Sequence, residues 1–189
     1  MDAKIFVQIL EIAFSKKVSD VHFEVDNPPF FRGKGQIIRS KLPSLTSEDT
    51  EFIAAQIMTH HGRRWEPDQK EFDTSFSLPS GARFRVSIFR QRGHFGIIMR
   101  VIPAHIGTFD ELRLPPVLGE IVKAPNGLIL VTGPTGNGKS TTLASMLRYI
   151  NETFSYNCIT IEDPIEFLFH SEKSCIIQRE VGIDTDSFS

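Results

Sequence analysis

Cysteine is scarce in this sequence. Cys158 and Cys175 are the only two in 189 residues, and they form no C-x-x-C pair. That spacing excludes a thioredoxin-type redox pair and a structural zinc site. The two thiols are expected to be reduced and buried, as in a cytosolic protein. Tryptophan occurs once and tyrosine twice, against sixteen phenylalanines. No apolar run approaches the roughly 18 residues that cross a bilayer. The opening "MDAKIFVQILEIAFSKK" is interrupted by Gln8 and Glu11, with no strongly basic start and no small-residue cleavage site. It is expected to be an amphipathic helix rather than a signal peptide. Neither charge sign dominates: 21 Lys and Arg stand against 23 Asp and Glu, net −2. Such a balance argues against wholesale coating by nucleic acid and leaves room only for a local basic patch. There is no internal repeat and no low-complexity tract. An Asn-Lys-x-Asp segment, which would read guanine, is missing too.

Histidines are not spaced as metal ligands. His22 stands alone on a predicted strand beside Asp20, and the adjacent His60 and His61 fall near a predicted helix end, where a cap contact is expected. The only metal expected is magnesium arriving with a nucleotide.

What is present begins with periodicity. Ile5, Phe6, Ile9, Leu10 and Ala13 recur at helical spacing over residues 4–14. In "SDVHFEV", Val21, Phe23 and Val25 alternate with polar neighbours as in a strand. "PPFFRGKGQIIRS" places a Gly-Lys-Gly turn between two apolar runs and predicts a hairpin. Thr46 or Ser47 can cap a helix in "LTSEDTEFIAAQIM", whose first turn is acidic. "EFDTSFSL" reads as a strand closed by the turn "PSG". Residues 82–102 read as two strands joined near Gly93, with Phe84, Val86 and Ile88 on one face and Arg83, Arg85 and Ser87 on the other. Residues 81–100 hold five arginines and no acid. Two readings of that face stand: a solvated sheet surface or an anion clamp.

"IPAHIGTFDELRLPP", with three prolines, is the expected linker, placed at residues 103–114 between a domain of residues 1–102 and one of residues 115–189. Beyond it, "VLGEIVKA" predicts a short helix, "GLILVT" a buried strand, residues 139–150 a helix and "NCITIED" a second strand. That order is the βαβ signature of a parallel α/β sheet.

The chemistry gathers at "GPTGNGKS". Gly133, Pro134, Thr135, Gly136, Asn137, Gly138, Lys139 and Ser140 fit G-x-x-x-x-G-K-[ST]. Glycines let the backbone turn so that successive N–H groups point inward on phosphate oxygens. The helix that follows presents its positive end to the same anion. Lys139 can reach the β- and γ-phosphates, Ser140 can ligate Mg²⁺ through its hydroxyl, and Thr141 is expected to touch the α-phosphate. An apolar run before the loop and a periodic segment after it supply the context the motif requires. Binding of a nucleoside triphosphate is therefore the expectation. Hydrolysis further needs a carboxylate to position water. "TIEDPIE" offers Glu162, Asp163 and Glu166 at a predicted strand end, on the side of a parallel sheet where ligands bind. An acidic strand-end turn would read the same way.

These residues together resemble the type II/IV secretion ATPase superfamily, and within it the type IV pilus retraction ATPases of the PilT/PilU type. The likeness runs through "SDVHFEVDNPPFFRGKGQI", "RFRVSIFRQRG", "LPPVLGEIVKAPNGLILVTGPTGNGKSTTL", "ITIEDPIEFLF" and "IIQREVGIDTDSF", in the family's order. The resemblance implies an α/β architecture: a PAS-like α+β N-terminal domain followed by the first half of a RecA-like P-loop ATPase domain, in a hexameric ring with ATP between the two domains. It implies that Glu162 is the acid near the γ-phosphate and its water, and that Arg85 and Arg100 bring guanidinium groups to the phosphates. Arg83 and Arg90 are weaker candidates. It implies a cytoplasmic protein, peripheral at the inner membrane, with an inner-membrane pilus platform protein and a paralogous retraction ATPase as partners. Nucleic acid is not an expected partner, because no stacking aromatics are placed for a strand. The resemblance implies that a Walker B segment, carrying the acid that orients water and supports Mg²⁺, and a His box would follow "DTDSFS". The chain is thus expected to be the N-terminal part of a longer protein, weak in ATP binding and nearly inactive by itself. Two cysteines, rather than the four-cysteine zinc site of assembly and secretion relatives, favour retraction. The competing function is a nucleotide-dependent accessory module of a pilus or type II secretion assembly with negligible turnover of its own.

Overall fold

The computed structural model describes all residues except 61, 63, 67, 68 and 189. His61, named above as a cap candidate, lies outside the described residues. The chain divides into two units, Met1–Ile102 and Pro103–Ser189.

In the first unit, helix α1 (Ala3–Ser15) begins at Asp2, whose carboxylate accepts from the Ile5 N–H at 2.8 Å. Strand β1 (Asp20–Phe23) follows, then the hairpin of β2 (Phe30–Gly33) and β3 (Gln36–Arg39). Lys34 and Gly35 both take positive φ, 50° and 78°. That is the two-residue turn whose twist suits a hairpin. Helix α2 (Ser47–His60) starts at a reciprocal cap: the Thr46 N–H donates to Asp49 Oδ2 at 2.9 Å, and the Asp49 N–H to Thr46 Oγ1 at 3.3 Å. Strands β4 (Glu71–Ser77), β5 (Arg83–Gln91) and β6 (His94–Ile102) form a meander. Its β5–β6 turn again uses positive φ at Arg92 and Gly93. The sheet runs β3-β2-β1-β6-β5-β4, every neighbour antiparallel.

The core of this unit lies between the helices and one sheet face. Phe6, Ile9, Leu10 and Ala13 of α1 and Ile53, Ala54, Ile57 and Met58 of α2 cover Val21, Phe23, Phe84, Val86, Ile88, Ile97 and Met99. Phe6 sits 5.7 Å from both Phe23 and Phe76, ring centre to ring centre. Burying each such side chain contributes about 1.5–3 kcal/mol. The alternation read in the sequence is the one observed, with arginines on the opposite face.

The second unit holds helix α3 (Leu118–Ile121), helix α4 (Lys139–Thr153), and strands β7 (Asn157–Glu162) and β8 (Cys175–Glu180), which pair in parallel. Two expectations are corrected here. "GLILVT" is not a strand: residues 127–132 carry no ladder, and Leu128 and Leu130 are 82% and 74% exposed. An apolar run becomes a strand only when neighbours accept its hydrogen bonds, and among the described residues nothing pairs with it. The βαβ order accordingly reduces to loop, helix, and a two-stranded ladder. The cysteines are not buried: Cys158, on the inner face, is half-buried, and Cys175 is exposed because it lies with Ile159 and Ile177 on the bare outer face of the ladder. Burial nevertheless pushes the Cys158 thiol up, the Ser174 contact opposing it. The segment from Pro103 onward falls in the second unit. There Thr108 and Glu111 bond reciprocally across a turn (Thr108 N–H to Glu111 Oε2, 2.8 Å; Glu111 N–H to Thr108 Oγ1, 3.2 Å), and Arg148 donates to the Ile106 carbonyl. The exposed Glu111 carboxylate is held below the usual carboxylate range, chiefly by that Thr108 N–H.

Candidate nucleotide site

The glycine loop is built as its spacing demands. Gly133, Gly136 and Gly138 adopt φ of 147°, 83° and 79°, in the left-handed region that side chains avoid. Gly138 is the N-cap of α4 and its carbonyl accepts the first helical bond, from Thr142 at 2.8 Å. The N–H groups of Lys139, Ser140 and Thr141 therefore lie in the first turn, where a helix has no partner for them. No acid occupies that turn, so the positive helix end is uncompensated. Pro134, Thr135, Asn137 and Ser140 are exposed, and Thr141 is half-buried. Lys139 folds over the loop and donates to the Gly133 and Pro134 carbonyls, each at 2.9 Å. An ammonium has three donors, so one remains for an anion.

Glu162 ends β7, half-buried. Its Oε1 accepts from the Thr160 hydroxyl at 2.7 Å and from the Gln178 amide at 3.0 Å. Asp163 is exposed beyond the strand, and Glu166 is half-buried. Glu180, opposite Glu162 in the ladder, accepts from the Ile165 N–H at 3.1 Å and so serves the loop rather than a ligand. Sequence reasoning missed Thr160 and Gln178. The signal was there in "CIIQRE", where Ile176, Gln178 and Glu180 alternate onto one face.

In the first unit the structure sorts the arginines by partner. Arg85 and Arg100 lie directly opposite each other on β5 and β6, and Asp20 lies opposite Arg100 on β1. Like charges in that position repel. The Arg100 Nε donates to Asp20 Oδ1 at 3.0 Å; the carboxylate is 5% exposed and the arginine side chain 63%. Arg83 is tied down, donating to the Ser77 and Ser75 hydroxyls at 2.8 Å each. Arg90 lies over the Phe95 ring, 3.7 Å from its centre. Those contacts occupy the two weaker candidates. His22 stacks on Phe30 at 4.6 Å.

The first unit is an antiparallel sheet under two helices, the second a glycine loop on a helix start followed by a parallel strand pair, and together they make a mixed α/β protein. Residues 3–187 match the family described as type II/IV secretion system protein, and the chain belongs to that family. It is 43% identical, over 94% of its length, to the type IV pilus retraction ATPase PilT of Pseudomonas aeruginosa, covering 52% of that protein. Against the type IV pilus ATPase PilU of the same organism it is 37% identical over 97% of its length, covering 48%. The crystal structure of the pilus retraction motor PilT with bound ADP superposes with a TM-score of 0.85 at 44% identity, covering 96% of this chain and 53% of that one. The chain thus spans about half the length of the relatives it matches.

Proposed function

We propose that this chain carries the nucleotide-binding machinery of an ATP-hydrolysing motor for type IV pilus retraction. The observation that carries the proposal is the loop of residues 133–140: three left-handed glycines, a lysine folded over the turn, and an acid-free helix start. The likeness to relatives described as retraction ATPases supports the choice of ATP as nucleotide and of pilus retraction as the work. In this reading the N–H groups around Lys139 hold the phosphate oxygens, and Thr141 adds a contact. Arg85 and Arg100 act as phosphate partners, suited by planar guanidinium geometry and by the charge that develops during transfer. Glu162 is the acid near the γ-phosphate and its water. The Ser140 hydroxyl is the hard oxygen donor that Mg²⁺ prefers; when bound, the ion neutralises charge between phosphate oxygens. The motor works as a homo-hexamer at the cytoplasmic side of the inner membrane, with a platform protein and a paralogous retraction ATPase as partners. Among the described residues no helix is long and apolar enough to cross a membrane.

The test is Lys139→Ala in the full-length protein. Phosphate release should fall by about a hundredfold or more, as for loss of one preorganised donor to developing charge, with melting temperature unchanged. Turnover at the original rate would overturn the assignment of this loop.

A further inference from the structure

We propose that Gln178 is a positioning residue that aims the Glu162 carboxylate. The inference rests on the reading of Glu162 as the acid near the γ-phosphate and its water. The register makes it possible: Thr160 pairs with Gln178 and Glu162 with Glu180, so the four side chains share one face of the ladder.

The amide has one orientation. Its oxygen accepts from the Phe169 N–H at 2.9 Å, and a backbone N–H can only donate. The Nε2 group must therefore face the other way. It donates to the Phe167 carbonyl at 2.8 Å and to Glu162 Oε1 at 3.0 Å. Every polar group of the side chain is engaged, two partners on the loop that follows β7 and one on the acid. Thr160 adds a second donor to the same carboxylate oxygen at 2.7 Å. With Oε1 held by two donors, the carboxylate plane is fixed from one side. Among the described residues Oε2 has no such partner, and it is the oxygen left to face that water. Glutamate otherwise has three rotatable side-chain bonds, and a misaimed base loses rate steeply. Gln178 also locks the acid to residues 167–169, so loop and carboxylate hold one arrangement.

The experiment is a double-mutant cycle in the full-length protein, using Gln178→Glu, Glu162→Gln and both together. Gln178→Glu keeps an acceptor for the Phe169 N–H and replaces the donor to Glu162 with a like charge. Single-turnover phosphate release, KM, affinity for a fluorescent ATP analogue, and hydrogen exchange at the Phe169 amide are measured. The expected result is a loss of about tenfold in kcat, the size of one lost hydrogen bond to a charged group. KM, affinity and Phe169 protection should stay within twofold of the parent. In the Glu162→Gln background the same change should cost less than twofold. Should Gln178→Glu fail to fold, Gln178→Met takes its place in the cycle, with Phe169 protection then expected to drop. Unchanged kcat, or an equal loss in both backgrounds, overturns the positioning role while leaving Glu162 as the acid. Full turnover in Glu162→Gln alone defeats the reading of Glu162, and the inference falls with it.

Discussion

His22 shows how one side chain ties packing to pH. It stacks on Phe30 at 4.6 Å from within the sheet. Burial lowers its pKa from the ordinary 6.5, with Arg32 pushing the same way and Asp20 and Glu24 opposing. A base whose folded pKa lies below its unfolded value is bound by fewer protons when folded. Between the two values the unfolded chain takes up the extra proton, so stability rises with pH there. The contribution is complete above about pH 6.5 and is lost as pH falls through that value toward the folded one. His22→Phe keeps a ring on Phe30 and removes the proton site. Urea midpoints at pH 7.5 and 5.5 should fall further for the parent chain than for this variant. Equal falls would show that other groups carry the acid dependence. Asp20 belongs to the same scale. Its one buried carboxylate lies between Arg32 and Arg100 in register, and it offsets part of the repulsion between Arg100 and Arg85.

Among the elements, α4 does more than start at the glycine loop. Near its C-terminal end, Asn151 is 3% exposed and fully paired. Its Nδ2 donates to the His170 carbonyl at 2.8 Å, its Oδ1 accepts from the Glu172 N–H at 3.0 Å, and its own carbonyl accepts from Lys173 at 3.0 Å. One side chain thus holds the connection between β7 and β8, and through it the place of β8 and Gln178. Asn151→Leu should leave the His170 carbonyl and Glu172 N–H unsatisfied and cost about 2 kcal/mol. The checks are the urea midpoint and faster amide exchange at Glu172; an unchanged midpoint would refute the role. The same element explains what the sequence discloses and what it hides. The helices α1 and α2, the hairpin turns and the glycine loop are legible because their determinants are local: periodicity, a cap three residues away, positive φ at Lys34-Gly35 or Gly138. The Asn151 contacts reach 19 and 21 residues along the chain, and the Gln178–Glu162 contact needs a parallel register that no short window contains. "GLILVT" fails for the converse reason: its composition is that of a strand, but a strand is a property of a pair.

For the whole molecule, the two units differ in how they treat apolar surface. Residues 1–102 close a core between two helices and six strands. In residues 103–189 the large side chains of Leu128, Ile129, Leu130, Ile159 and Ile177 are all exposed, and residues 127–132 make no ladder that would protect the backbone. Local opening is easiest where buried contacts are few and backbone hydrogen bonds are missing. Proteolysis follows the population of such open states when closing outpaces cleavage. Brief digestion of this chain with thermolysin, which cuts before large apolar residues, should therefore cleave first between residues 127 and 132. A fragment containing residues 1–102 should persist and melt cooperatively with native-like circular dichroism, since it carries its own core. Mass spectrometry of the time course is the measurement. Addition of ATP with Mg²⁺ to the full-length protein should slow cleavage at that segment specifically, because ligand held at residues 133–141 shifts the equilibrium toward the closed backbone by mass action. First cuts within β5 or β6, or a 1–102 fragment that degrades as fast as the remainder, would mean that the first unit's core does not stand by itself.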